Sequence, residues 1–369
     1  MSASTADRML QGPRFRSLCM AVVAELDPDL ELLTMSVSGV VGVSVARLET
    51  FRAPQDLVMD FVDRVSAVEV SAVADWSDPL RLVSGLKAAV DSAMPWQPPW
   101  VEDAITGTPA IRDALRPTAE AILASPAAAW WGTDVQRDAQ WVTRPVRKGR
   151  AGVVATPRPA SETLRLWHQN QEKEEARSRD HVPINQAVSG SWWSTPHNFG
   201  EAADDWALLP SSTRRVGGLG ALELELVEDS FGDQEALLQH LQPSPEVRVL
   251  EVHSSEDWAT LVSQYPLSAR WARRRVWWES TGREEHWLLP DFAAVAADYD
   301  AIHVSVHGYL STAGRAIELE RGATVLAGWS PDATYWLTDA FVLSSNIEKW
   351  IQHEPDEIHA WARSEHGKG

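Results

Sequence analysis

Nineteen tryptophans, set against only 4 tyrosines and 7 phenylalanines, constrain this 369-residue chain more than any other feature. An indole buries a large apolar area but carries an N–H that needs an acceptor once it leaves water. A chain this rich in indole is expected to build a core laced with specific polar contacts. Some rings are then left over to line a groove or to stack on a planar ligand. The apolar fraction of 44 % is ordinary for a globular protein, so a sizeable core is within reach despite 22 prolines.

Charge narrows the partners. Against 33 basic side chains stand 52 acidic ones, a formal net charge of -19. That excludes a broad nucleic-acid surface and long-range attraction to an anionic membrane, and it suits a basic protein partner. The single cysteine, Cys19, leaves no internal disulfide and no thiolate zinc site, which fits a reducing interior. The first thirteen residues are polar, the apolar run near Leu18 is short, and no stretch reaches the about 18–20 apolar residues of a bilayer span. A soluble protein of the cytoplasm is expected.

The length favours two domains. Residues 1–160 read as a mostly helical domain, 161–180 as a charged connector, 181–364 as a sheet-containing domain and 365–369 as a disordered tail. The expected fold class is α+β: a helical N-terminal region packed on a C-terminal antiparallel or mixed sheet with flanking helices. Helices are expected over 14–26, 54–65, 80–94 and 109–123, the last kinked or restarted at Pro117. The β-branched stretch 30–48 reads as a strand or hairpin turning at Gly39 and Gly42. Beyond the connector, Leu222, Leu224 and Leu226 alternate with Glu223 and Glu225 as in a half-buried strand. Further strands are expected over 247–252, 302–306 and 324–327. Helices are expected from Ser255, over 290–297, and near the end over 346–353 and 356–364.

The richest stretch for chemistry runs from Ile302 to Asp339. In a strand, Ile302, Val304 and Val306 would face the core while His303, Ser305 and His307 share the other face. Imidazole titrates near neutrality, so those three are the catalytic candidates, with histidine as acid or base. Beyond them, Tyr309, Trp329, Tyr335 and Trp336 are candidates to line or cap a ligand pocket, the last three on turn-like segments. Arg275 and Trp277 would share one face of a short strand, an alternation that suits a phosphorylated or carboxylated small ligand. Arg144, Arg147, Lys148 and Arg150 form the only dense basic cluster, read as a solvated loop or an anion site. No metal site is expected, because the two histidines lack a third ligand at a recognised spacing.

No phosphate loop, dinucleotide fingerprint, nucleophile elbow or His-Glu-x-x-His is present, and no motif names a cofactor. The order of an arginine (Arg144 or Arg150), then Ser194-Thr195-Pro196, then Glu223-Leu224-Glu225 resembles the signature of ADP-ribosyltransferases. The resemblance implies NAD held by the arginine and Ser194, with Glu225 polarising the ribose. Pro196 departs from the motif. The leading expectation is an enzyme acting on a small polar, anionic or aromatic molecule by histidine acid/base chemistry. The alternative is a non-catalytic, acidic, immunity-like binding module with a Trp-rich surface.

Overall fold

The computed structural model describes residues 4–28, 30, 55–99, 101–146, 158–179, 184, 191–196, 209–228, 232–353 and 361–364. Residues 31–48 of the expected hairpin, Arg147, Lys148, Arg150 and the tail 365–369 lie outside them. Among the described residues the fold is α+β, with eleven helices and four sheets.

The N-terminal half is helical because its apolar residues recur at helical spacing. Its helices are α1 (Thr5–Met9), α2 (Pro13–Leu26), α3 (Gln55–Ala67), α4 (Pro79–Asp91), α5 (Val101–Thr106) and α6 (Pro109–Ala124). In α2, Pro13 occupies the first turn and Phe15, Leu18, Cys19, Val22 and Val23 form the buried stripe. In α4, Asp78 caps the start by accepting from the Leu80 amide, and Leu82, Leu86 and Ala89 face α2 and the core. Pro117 does not restart α6, which runs unbroken through it.

After α6 the chain enters two four-stranded sheets. The first has the order β1 (Gln140–Pro145), β3 (Glu235–Pro243), β11 (Phe341–Gln352), β12 (Trp361–Arg363) and is antiparallel throughout. The second has the order β2 (Ser211–Ser212), β10 (Ala333–Trp336), β7 (Ala301–Val304), β4 (Val249–Val252). Here β4 and β7 run parallel, with Glu251 opposite His303. Two-stranded ribbons pair β5 (Pro266–Ser268) with β6 (Leu288–Pro290), and β8 (Ala316–Leu319) with β9 (Gly322–Val325). Around them stand α7 (Ala160–Ser178), α8 (Ser255–Gln264), α9 (Arg274–Thr281), α10 (Phe292–Asp298) and α11 (Val306–Thr312).

Several local expectations are corrected. The Leu/Glu alternation after Ala221 is no strand: Leu222–Leu224 is a single tight turn, which sends Leu222 and the following Leu226 into the main core and Leu224 into a separate cluster with Ala236 and Trp350. An Arg215–Ala221 bridge closes the chain into that turn, and Gly217, at φ 55, permits the reversal. Residues 341–352 form β11 instead of ending in a helix, because β3 offers a continuous ladder, interrupted by a register shift between Leu343 and Ile347. Trp361–Arg363 is a strand rather than part of a helix. The segment carrying Arg275 and Trp277 is helix α9, so the two cannot share a strand face. The Tyr335–Trp336 segment is strand β10 rather than a turn.

The two halves share one core. Phe15, Leu86 and Ile122 belong to the same buried cluster as Val304, Tyr309 and Trp329. The bridge is α11, which packs on α1, α2 and α8. Aromatic edges link its far side: Trp167 meets Phe292, Phe292 meets Trp329, and Trp329 meets both Trp258 and Tyr335 at 5.8 and 4.8 Å between centroids. The core is less polar than the tryptophan content suggests. Trp258, Trp277 and Trp336 donate to Thr324, the Trp192 carbonyl and Ser212, but buried Trp131, Trp167, Trp287 and Trp329 make no hydrogen bond through Nε1. No helix among the described residues is long and apolar enough to cross a membrane.

Trp329 is the hub of these contacts. Trp329→Ala should lower unfolding free energy by about 3–5 kcal/mol, read from urea denaturation. Val342→Ser, at a side chain 70 % exposed, should stay within about 0.5 kcal/mol of the parent. A loss below about 1 kcal/mol for Trp329→Ala would remove Trp329 from the centre of the core.

Candidate functional site

The ends of β4 and β7 are the part of the fold where polar chemistry concentrates. Parallel strands point their carboxyl ends to one edge, and ligands of open α/β sheets bind beyond that edge. Both strands stop there because a serine turns the chain into a helix. Ser254 caps α8 by accepting from the Asp257 amide, and Ser305 caps α11 by accepting from the Gly308 amide. Gly308 is required, since a side chain there would collide with the Val252 carbonyl at the end of β4.

This geometry breaks up the expected His-Ser-His face. Only His303 lies in the strand, Ser305 is a helix cap, and His307 sits in the first turn of α11. The second sheet is also covered on both faces, so Ala301, Ile302, His303 and Val304 are all buried. The alternation in the sequence is real, but the helix starts three residues after His303 and takes over the pattern.

His303 anchors a buried charge relay. Its Nδ1 donates to Glu251 Oε2 at 2.5 Å and its Nε2 to Asp332 Oδ1 at 3.3 Å. Asp332 in turn accepts from Arg214 Nε at 2.8 and 2.9 Å and from the Arg214 amide at 3.1 Å. Arg214 continues to Thr133 Oγ1 at 3.1 Å and to the Asp134 carbonyl at 3.5 Å, and its guanidinium stands 5.0 Å above the Trp130 ring. Asp332 has φ 63, the only positive φ at a non-glycine among the described residues. Backbone strain of that kind persists where the surroundings over-determine it.

Proton affinities follow from these contacts. Burial alone would pull His303 down, but its hydrogen bonds and charge contacts with Asp332 and Glu251 outweigh burial and raise it to about 9. It is therefore an imidazolium at neutral pH. Burial pushes Asp332 up, yet His303 and Arg214 prevail and hold it below the usual carboxylate range. His307 is lowered to about 4, first by burial and then by the nearby His253. Its ring meets Trp131 edge-on, and its amide donates to the Trp131 carbonyl at 3.0 Å.

The relay reaches water at one end. The side chains of His303 and Asp332 are 0 % and 1 % exposed, whereas Glu251 is 20 % exposed. Glu251 Oε1 accepts from the Val135 amide at 3.1 Å, so both carboxylate oxygens are held. Beside it His253 Nε2 lies 3.0 Å from Asp134 Oδ1, with side chains 31 % and 79 % exposed. One donor atom each from Asp134, Glu251 and His253 lie within 4.8 Å of one another, the only such trio of potential metal ligands among the described residues. None of these three was singled out from sequence. Asp134 and His253 are 119 positions apart, and the one available signal was an acid, Glu251, inside the otherwise apolar strand β4.

The other expected site residues are placed elsewhere. Tyr309, Trp329, Tyr335 and Trp336 are buried in the core, and Tyr309 donates to Glu228 at 2.8 Å. Trp277 is buried against Trp287, while Arg275 pairs with Glu279 one turn along α9. Arg144 donates to Gln239, Ser194 exchanges hydrogen bonds with the Ala327 backbone, and Glu225 pairs with Lys87. The residues of the ADP-ribosyltransferase-like pattern thus spend these contacts on separate partners. An apolar cavity of about 440 Å³ lies among the N-terminal helices, lined by Met20, Phe61, Met94 and Ile105 with Asp91. It shares no lining residue with the polar centre.

The two histidines act on stability from opposite sides. His303, raised above its ordinary value of about 6.5, adds stability that is complete below pH 6.5 and is lost as pH rises through 9. His307, lowered, adds stability present above pH 6.5 and lost as pH falls through 4. These two contributions together are largest near pH 6.5, and complete deprotonation of His303 should cost on the order of 3 kcal/mol on the alkaline side. Urea titrations across pH 4–10 check this. An alkaline limb unchanged in His303→Gln would show that His303 is not its source.

No family model matches the chain, and no curated protein or solved structure matches it either.

Proposed function

We propose that this chain is an enzyme acting on a small polar molecule at the mouth formed by Asp134, Glu251 and His253. One observation carries the reading: a buried relay of alternating charges, Arg214–Asp332–His303–Glu251, opens to solvent through Glu251. A buried ion network is weak as a source of stability, since apolar residues of similar volume usually serve as well or better. Perturbed, partnered ionisable groups at the end of parallel strands are instead characteristic of reaction centres.

The roles differ from those the sequence suggested. His303 is sealed from substrate and stays charged, so it is a positioning residue that fixes the Glu251 carboxylate from behind. Glu251 and His253 are the groups that meet substrate, with Asp134 orienting the His253 ring. A carboxylate and an imidazole side by side suit proton transfer to or from a polar substrate, or activation of a water. The Trp-rich binding surface of the alternative reading has little to draw on, because no tryptophan among the described residues is exposed.

A thermal-shift screen of phosphate esters, carboxylates, amines and aromatic acids tests the reading. Stabilising compounds should lose at least tenfold in affinity with Glu251→Gln and with His253→Asn. The second variant changes a side chain on the open rim, where the fold depends on it least. The reading fails if no compound stabilises the parent, or if both variants keep every response.

A further inference from the structure

The geometry points to a divalent metal site: we propose that Asp134, Glu251 and His253 together bind one first-row transition ion, of the zinc, manganese or ferrous class. The inference rests on the catalytic reading of the same mouth and gives it a cofactor.

The donor set is the first argument. Donor atoms sharing an ion at about 2.0–2.2 Å sit about 3–4 Å apart. The three here already lie within 4.8 Å of one another, so small side-chain rotations close the site. Two carboxylates and a neutral imidazole offer two negative charges to a divalent cation, one of them shared with the His303 imidazolium behind Glu251. One nitrogen with two oxygens favours a borderline transition ion over calcium or magnesium, which prefer all-oxygen sets. Three protein ligands leave coordination positions for water and substrate, as catalytic sites require.

The support behind the ligands is the second, independent argument. Ligating carboxylates in metal sites are themselves held by hydrogen bonds. Glu251 is held on one oxygen by His303 Nδ1 and on the other by the Val135 amide. The Asp134 segment is held by Arg214, through Thr133 Oγ1 and the Asp134 carbonyl. Gly132 lets that segment close on α11, where an added Cβ would meet His307 Nδ1 at 2.7 Å. His253 is fixed through its backbone, its amide donating to Asp257 Oδ2 at 3.0 Å. Its Nδ1 has no hydrogen-bond partner, so the contact with the Asp134 carboxylate alone keeps the proton on Nε2. The ion then takes the place of the proton between His253 Nε2 and Asp134 Oδ1.

The test uses the full chain, stripped with a chelator and titrated with Mn²⁺ and with Co²⁺. Manganese is followed by electron paramagnetic resonance and cobalt by its visible absorption. The expected result is one tight site per chain, weakened at least tenfold by Asp134→Asn and by His253→Asn. Glu120→Gln, on an exposed face of α6, should leave it unchanged. Asp134 is 79 % exposed, so its variant is not expected to unfold the protein. The proposal is overturned if neither ion binds at 1:1 below about 0.1 mM, an affinity on the order of 5 kcal/mol. It is equally overturned if both rim variants bind like the parent, the outcome for ions held diffusely by an acidic surface. The two readings fail separately. Small-molecule responses that need Glu251 in a chain that binds no metal remove the ion and keep the enzyme, and metal binding without any ligand response does the reverse.

Discussion

The ion pair between Arg214 and Asp332 fixes the edge where β2 meets β10 and ties it to the segment after α6. Asp332 lies in the turn before β10, Arg214 follows β2, and the Arg214 fork reaches on to the Trp130–Val135 segment after α6. Both charges are almost fully buried, with side chains 6 % and 1 % exposed. Leaving either unpaired costs about 3–5 kcal/mol. That penalty excludes competing arrangements of the loops more firmly than apolar packing does, because apolar contacts tolerate exchange of one partner for another.

From this pair the rest of the centre follows in order. Asp332 adopts a left-handed backbone so that its carboxylate can serve Arg214 and His303 at once. His303 is then pulled into the imidazolium form, and the charge so stabilised fixes Glu251 in the neighbouring parallel strand. Signs alternate along the relay, two positive and two negative, so it is neutral as a whole. The relay thus adds no net charge to the interior of a chain whose excess of acid gives it a net charge of -19. One acid of that excess, Asp134, stands at the open end beside His253.

Much of the architecture was legible because period and punctuation agree. The 3.6-residue stripes of α2, α4 and α6, each opened by a proline in the first turn, identify themselves. The charged stretch 161–180, expected as a connector, falls largely within helix α7, and Trp167 ties it into the core against Phe292. Legibility fails where a short pattern fits two periods. Val304-Ser305-Val306-His307-Gly308 alternates like a strand, yet Ser305 is a helix cap and Gly308 the close contact that lets the helix begin. Leu222 to Leu226 alternates too, yet a three-residue turn buries the same leucines. The strand β11 was hidden for the opposite reason: its partner β3 lies about a hundred residues earlier, and pairing over that distance leaves no local trace.

The centre itself was half legible, and the half that was missed explains why. His303 drew attention as a histidine among valines, and it lies in the middle of the buried charge network, between Glu251 and Asp332. Its surroundings were not legible, because only the strand order shows that β7 is an inner strand, covered on both faces and flanked by β4 and β10. The residues that reach solvent come from segments adjoining the ends of elements: Asp134 after α6, and His253 one step past β4. A side chain beyond the end of a buried strand is positioned by the strand but hydrated by the gap it borders. Function accumulates at such positions because rigidity and access coincide there. No periodicity marks them. They are found only once the sheet order shows which strand ends face the same edge.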